Sequence, residues 1–417
     1  MESNKLTVVQ EGSTKIYIHK NDKDAIPSKE MGVFYNKRME INRDLTCLGI
    51  EAYNCLYSPD QIIFVDCMAA SGITALRVLQ ECSNVSHVYI NDINPEAVEL
   101  IHRNLALNEI TASVSSPEIT VTQKDANFLL QEILQETYSD EDASDALKTR
   151  PNIISIDPFG TPNIYVDSAF KTVATPSGLV CITATDTAVL FGVRKNVCQR
   201  KYMAKPLKNE YTKETGTRIL LHFISRIANV NNIGIVPLLS LYSHHFIRIF
   251  ALTYKGKKKI ARASKNYGYL IHCKSCGHRF SLPSDIRKLP KVCPLCDTTG
   301  SFEFAGPLWI AELHKPAFVA KLQALNEQQN LKKKKRINKL LDCIAEESGM
   351  PITYYNIHNL CEEIHASQVP RMESIIAQIR QQGFKASRTH FDFTSLKTTM
   401  DIVTLKKTLR KLAGGDR

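Results

Sequence analysis

Three things are scarce in this chain of 417 residues, and each scarcity removes a class of protein. No window approaches the roughly 20 consecutive apolar residues needed to span a bilayer, so no membrane segment is expected. The first residues, Met1-Glu2-Ser3-Asn4-Lys5, lack the charged-then-apolar order of a secretory signal, and the expectation is an intracellular protein, nuclear or cytoplasmic, not secreted. Paired cysteines are few: most of the 12 lie singly in apolar runs, as Cys67 and Cys181 do, where a free thiol behaves as a small hydrophobe and not as half of a disulfide. Glycine is thin where a phosphate would need it. The turn Cys67 to Gly72 holds one glycine where a dinucleotide fingerprint has three, which argues against a pyrophosphate cradle.

What is present begins with size and charge. A length of 417 residues exceeds one ordinary core and predicts two or three domains. The formal charge of +11 divides unevenly near residue 256, with −3 over residues 1–256 and +14 over 257–417. A near-neutral half joined to a strongly basic half fits an enzyme of nucleic acid, with one part for chemistry and one for phosphates. A solvated basic surface without a partner is the alternative. The expected division is therefore 1–256 for catalysis and 257–417 for RNA.

The N-terminal half alternates strand and helix patterns. Ile62 to Asp66 reads as a short apolar strand, Cys67 to Gly72 as a small-residue turn and Ile73 to Cys82 as an amphipathic helix, together a ligand-binding crevice. His87 to Ile90 is a second strand, followed by a helix opened by Pro95. Asp92 closes that strand about 20 residues beyond the turn, where a carboxylate accepts both hydroxyls of a ribose; a helix-cap role is its alternative. After a third strand, Ile119 to Thr122, Asp125 beside Ala126 is placed to bond an adenine amino group. A ribosyl-adenine ligand without a phosphate grip points to S-adenosylmethionine. The acidic segment Glu136 to Asp145 reads as a surface loop. Two further apolar runs, 233–242 and 246–254, read as an antiparallel pair at the sheet's edge. By analogy the fold class is α/β, a Rossmann-like class I methyltransferase domain with a smaller α+β zinc-containing C-terminal domain.

The fourth strand, Ile153 to Ile156, ends on Asp157-Pro158-Phe159-Gly160. Open α/β sheets bind ligands at the carboxyl ends of their strands, so Asp157 is expected at a site; an Asp-Pro turn made for conformational reasons is the alternative. A carboxylate, a proline carbonyl and an aromatic face suit an amino group on a flat base.

With these blocks in place, the chain resembles the tRNA guanine-26 N2-dimethyltransferases. The resemblance is carried by Phe34-Tyr35-Asn36-Lys37-Arg38-Met39 with Asn42-Arg43-Asp44, by Ala70-Ser71-Gly72-Ile73, Asp157-Pro158-Phe159-Gly160 and Thr183-Ala184-Thr185-Asp186, and further on by Gly306-Pro307-Leu308-Trp309 and Ala386 to Phe391. It implies that Arg38, Asp92, Asp125 and Ala126 bind the cofactor, a set to which we add Asp66 at the end of the first crevice strand. It also implies that Asp157 is the catalytic carboxylate, with Pro158 and Phe159 beside it, and that tRNA is the partner. The family tends to carry an arginine where this chain has Thr74, with Arg77 one turn on; neither is counted in the site. An amino-group methyltransferase acting on adenine or another RNA, and a non-catalytic zinc-ribbon RNA-binding protein, are the rival readings.

Cys273-x2-Cys276 and Cys293-x2-Cys296, separated by 16 residues, form the strongest local motif. Four thiolates on two short knuckles give closed tetrahedral zinc, structural and not catalytic. Residues 257–291 around it hold ten Lys+Arg against Asp285 alone, a surface suited to an RNA backbone. The run Lys332 to Arg336 fits either a localisation signal or a phosphate-contacting helix end. Beyond Thr353, two amphipathic helices and a short strand predict a small α+β unit in which Arg371, Arg380, Lys385 and Arg388 are candidates to grip tRNA, ordinary helix packing being the alternative.

Overall fold

The computed structural model describes residues 6–20, 31–110, 117–139, 150–283 and 285–414. The chain opens with an antiparallel hairpin, β1 (Leu6–Glu11) and β2 (Thr14–His19), turning at Gly12. The sequence reading did not foresee it. A short 3-10 turn, Lys37–Met39, leads into helix α1 (Glu40–Tyr57).

Strand and helix then alternate: β3 (Ile62–Asp66), α2 (Ile73–Glu81), β4 (Val85–Asn91), α3 (Pro95–Leu107), β5 (Glu118–Thr122), α4 (Ala126–Ser139), β6 (Ile153–Ile156) and β7 (Leu179–Ala184). The hairpin β8 (Gly234–Ser243) and β9 (Phe246–Tyr254) completes a seven-stranded sheet in the order β5-β4-β3-β6-β7-β9-β8. Strands β5 to β7 of that order run parallel, and β9 lies antiparallel between β7 and β8. Fully buried runs such as Ile153–Ile156 and Leu179–Ala184 occupy its centre, as expected of parallel strands covered on both faces. The chain leaves β3 outward to β4 and β5, then returns to β6 and β7 on the other side. The crevice between the ends of β3 and β6 is therefore the topological switch point. Of the expected loop at Glu136 to Asp145, residues 136–139 instead finish α4, and 140–145 lie outside the described residues.

Beyond residue 256, β10 (Tyr267–Cys273), β11 (Arg279–Pro283) and β12 (Phe302–Trp309) form an antiparallel sheet in the order β11-β10-β12. A last small sheet joins β13 (Tyr355–Asn356), β14 (Ala386–Arg388) and β15 (Ser395–Thr398), with the final helix Ile402–Leu412 against it. Two hydrophobic cores cross residue 256. One joins Val180 and Ile247 to Leu308, Trp309, Tyr354 and Phe391; the other joins α1 and β3 to Phe318, Leu322, Leu341 and Ile344. A third core, from Tyr355 to Leu409, belongs to the C-terminal unit alone. No helix among the described residues is long and apolar enough to cross a membrane.

The open edge of β8 is closed by histidines from the C-terminal half. Backbone N–H groups of Ser240 and Tyr242 donate to His314 Nδ1 at 3.3 Å and His390 Nε2 at 3.4 Å, and Leu238 O accepts from the Lys315 N–H at 2.9 Å. A buried strand edge needs such partners. The basic run is also engaged within the fold: Lys332 donates to Gln10 O at 2.8 Å, Lys333 lies 3.8 Å from Glu40, and Lys334 lies 3.2 Å from Glu327.

Candidate functional site

At the switch point lies a cavity of about 370 Å³. Its first wall is the turn after β3, folded tightly by a positive φ of 49° at Ala70 and 78° at Gly72. A side chain at Gly72 would be strained by that φ and would sit 3.0 Å from Ile101 and Leu76, which accounts for the single glycine. The N–H of Ala70 donates to Asp92 Oδ2 at 2.8 Å, and Asp92 Oδ1 accepts from Asn94 at 2.9 Å. Asp92 thus ties the turn to the end of β4 and faces the cavity with Ala69, Ser71 and Thr74.

The opposite wall is Asp157, Pro158 and Phe159. The loop is fastened at its base, where Gly160 N–H donates to Thr185 Oγ1 at 2.8 Å and Gly160 O accepts from Thr185 N at 2.9 Å. Asp157 Oδ2 accepts from Asn42 Nδ2 at 2.8 Å. Burial pushes the Asp157 carboxyl above its ordinary range against the opposing pull of Arg248, Thr183, Arg43 and Asn42. Phe159 is half-exposed at the mouth, 5.1 Å from Phe34 in an edge-to-face arrangement.

The sequence-predicted residues do not all reach this cavity. Asp92, Asp157, Pro158 and Phe159 line it; Arg38, Asp66, Asp125 and Ala126 do not. Asp66 is buried below the turn, its Oδ2 without a partner among the described residues, and burial together with Asp157 raises its pKa to about 7. Asp125 caps α4, its Oδ1 accepting from Asn127 at 2.9 Å and Phe128 at 3.3 Å, while Ala126 packs into the core. Arg38 is exposed on the 3-10 turn, close enough that, after burial itself, it helps push the imidazole of His245 below its usual range. Arg77 is fully buried and bonded to Asp44 at 2.6 Å and Glu81 at 2.8 Å, outside the cavity.

Sequence reasoning missed Tyr35, Arg43 and His245, which complete the wall. The density of aromatic and polar groups from Phe34 to Asp44 was the available signal for the first two. Both are held by Glu11 from the unforeseen hairpin, which accepts from Tyr35 Oη at 2.7 Å and from Arg43 at 2.7 and 2.6 Å. His245 is fixed by the Asn36 amide, which donates to its Nε2 at 3.2 Å.

Among the described residues, two groups have metal-ligand composition. The four cysteine sulfurs lie within 4.8 Å of one another, with Cys273–Cys296 and Cys276–Cys293 at 3.8 Å. A tetrahedron with Zn–S of about 2.3 Å has an S–S edge of about 3.8 Å, so the set fits zinc. His314, Glu347 and His390 are also clustered. Here each histidine accepts a β8 N–H on one ring nitrogen, which leaves the proton on the nitrogen facing Glu347. A ring nitrogen that carries a proton offers no lone pair to an ion, so that cluster does not fit one.

The model of the N2,N2-dimethylguanosine tRNA methyltransferase family matches residues 12–410. The chain belongs to this family. It is 35% identical over 96% of its length, and 95% of the relative, to a tRNA (guanine(26)-N(2))-dimethyltransferase of Methanosphaera stadtmanae. It is 33% identical over the whole of both chains to the enzyme of that name from Methanobrevibacter smithii. Among solved structures it is similar to Trm1 from Pyrococcus horikoshii in complex with S-adenosyl-L-methionine, with a TM-score of 0.79 and 30% identity over 97% of this chain and 100% of that one. The family match favours guanine N2 of tRNA over the rival readings, a methyltransferase acting on adenine or another RNA and a non-catalytic zinc-ribbon protein that retains a dead methyltransferase fold.

Proposed function

We infer that Asp157 is the proton acceptor of the family's reaction and that the cavity beside it receives a guanine turned out of its stack. The chain transfers methyl groups from S-adenosylmethionine to the exocyclic N2 of guanosine at position 26 of tRNA, giving N2-methyl- and N2,N2-dimethylguanosine. Bound S-adenosylmethionine supplies an electrophilic methyl group on a sulfonium. Guanine N2 is a poor nucleophile because its lone pair is delocalised into the ring, so the protein's task is to prepare the amine. The Asp157 carboxylate accepts a hydrogen bond from N2–H and takes that proton as the N–C bond forms and the C–S bond breaks. The Pro158 carbonyl holds the second N–H, and Phe159, opposite Phe34, offers a face for the flipped base.

The Ala69–Thr74 wall lies on the cofactor side of this arrangement. Asp92 keeps lone pairs for the ribose hydroxyls beyond the two backbone bonds it accepts. Asp125 and Ala126 at the neighbouring end of β5 would hold the edge of the adenine, with Asp66 supporting the turn and Arg38 closing the mouth. We assign residues 257–417, with their charge of +14 and cysteine cluster, to tRNA binding, and 1–256 to catalysis. Zinc held by Cys273, Cys276, Cys293 and Cys296 fixes the knuckles next to β10 and β12. The reaction belongs inside the cell, in the cytoplasm or nucleus, where tRNA is found.

The observation that carries this reading is a half-buried carboxylate at the switch point, lining a cavity flanked by two phenylalanines. The test is incubation with S-adenosylmethionine and unmodified tRNA transcripts, followed by nucleoside analysis. Wild type yields both methylated guanosines; an Asp157→Ala enzyme as active as wild type overturns the role of Asp157.

A further inference from the structure

Arg248 sits in the middle of β9 with 1% of its surface exposed. Among the described residues it has no carboxylate in salt-bridge contact. Its guanidinium instead meets three hydroxyls: Nη1 donates to Thr183 Oγ1 at 2.7 Å, and Nη2 donates to Thr46 Oγ1 at 2.9 Å and Ser155 Oγ at 3.5 Å. Its Nε has no hydrogen-bond partner among the described residues. A buried cation without an anion is costly, and a fold keeps one where its charge is needed. Two carboxylates at neighbouring strand ends, the buried Asp66 closing β3 and the half-buried Asp157 just after β6, have no cation in salt-bridge contact among the described residues. Thr183 is directly opposite Arg248 in the β7–β9 ladder, and its Oγ1 lies 3.5 Å from the Asn42 amide that donates to Asp157 Oδ2 at 2.8 Å.

We propose that Arg248 is a positioning residue for methyl transfer, a buried cation that holds the Asp157 carboxylate ionised and oriented through the Thr183 hydroxyl and the Asn42 amide. This rests on Asp157 being the proton acceptor. A direct bidentate pair would occupy both carboxylate oxygens and depress the basicity the reaction uses. With hydroxyls interposed, the cation acts through the low-dielectric interior and leaves Asp157 an oxygen for the substrate amine. Its pull on both acids is in the lowering direction, against burial, and for Asp66 against the neighbouring Asp157 and Asp92 carboxylates. The other charged or titratable groups around Asp157 are Arg43 on α1, on the cavity wall, and His245, which has Arg38 beside it.

The test is the pH profile of single-turnover methylation. Removing a nearby cation raises a carboxyl pKa, so in Arg248→Met the acid limb moves to higher pH by about one unit. S-adenosylmethionine affinity and the KM for tRNA stay within about twofold, because Arg248 reaches neither ligand. Arg248→Lys restores part of the shift, and Thr183→Val, which keeps the cation but removes the hydroxyl, moves the limb the same way. A folded Arg248→Met with the wild-type limb overturns the proposal. If that variant does not fold, as judged by circular dichroism and cofactor binding, Thr183→Val decides, and an unmoved limb overturns it equally. Asp157→Asn separates the two claims. An active Asp157→Asn defeats the reading of Asp157 itself, whereas an inactive one alongside unshifted Arg248 and Thr183 variants defeats only this inference.

Discussion

Glu347 is the buried anion that holds the histidines covering the β8 edge. It bonds His390 and accepts from Thr389 Oγ1 at 2.7 Å, with His314 Nε2 at 3.4 Å and Lys397 at 4.0 Å. In Glu347→Ala the two histidines lose the acceptor that aims them at Ser240 and Tyr242, and the β8 edge loses its partners. Lys397 keeps Glu214 at 2.8 Å, so the loss falls at the lower end of what breaking a buried pair costs, about 3 kcal/mol. At about 2 °C per kcal/mol for a large chain, the Tm falls by about 6 °C. Burial alone would raise the Glu347 pKa, but His390 and Lys397 outweigh it and hold the carboxyl well below its usual value of 4.5. A carboxyl depressed in the folded state stabilises above its unfolded pKa, and that stability drains away as pH falls through the lower folded value. Thermal melts at neutral pH and below pH 4.5 therefore separate the proteins: wild type loses stability in acid more steeply than Glu347→Ala. A variant melting within about 1 °C of wild type at neutral pH, with the same acid slope, refutes the reasoning.

Other outcomes follow from the same geometry. Asp92→Asn, whose amide can accept only one of the two backbone N–H groups and weakens acceptance of the ribose hydroxyls, lowers S-adenosylmethionine affinity by about tenfold or more, by titration calorimetry. Replacing Cys273 and Cys276 by serine removes about one zinc per chain by elemental analysis and lowers the Tm while leaving cofactor affinity unchanged; metal content near zero in wild type contradicts this. Arg194, Arg200 and Lys201 lie in residues 187–209, which carry no acid. This segment is tied to the catalytic loop where Asn163 donates to Lys201 O at 2.6 Å. Changing all three to alanine reduces the salt dependence of tRNA binding by about two to three contacts' worth of slope.

The sheet was readable because its strands are continuous apolar runs closed by Asp, Asn or Pro, a pattern local in sequence. Asp92 and Asp157 stood out for the same reason, each ending such a run. The hairpin β1–β2 was not readable, since what fastens it is Glu11 reaching Tyr35 and Arg43, contacts set by the tertiary fold. Arg248 gave no signal either. A lone arginine within an apolar strand carries meaning only once Thr46, Thr183 and Ser155 converge on it from three elements. The basic run Lys332 to Arg336 was ambiguous as composition, and its lysines at 332, 333 and 334 proved to be engaged with Gln10, Glu40 and Glu327. Arg380 and Arg388, offered as tRNA contacts, are engaged with Ala386 O and Glu373. Charge counts cannot distinguish a side chain that faces a partner from one that fastens the fold.

The measurement that bears most directly on Asp157 is single-turnover methylation of bound tRNA by Asp157→Asn, which preserves shape and the bond from Asn42 but removes the base. The predicted result is a loss of about 10²-fold or more in the methyl-transfer rate, the range for a positioned general base, with S-adenosylmethionine and tRNA affinities unchanged. A rate within about twofold of wild type would contradict the account.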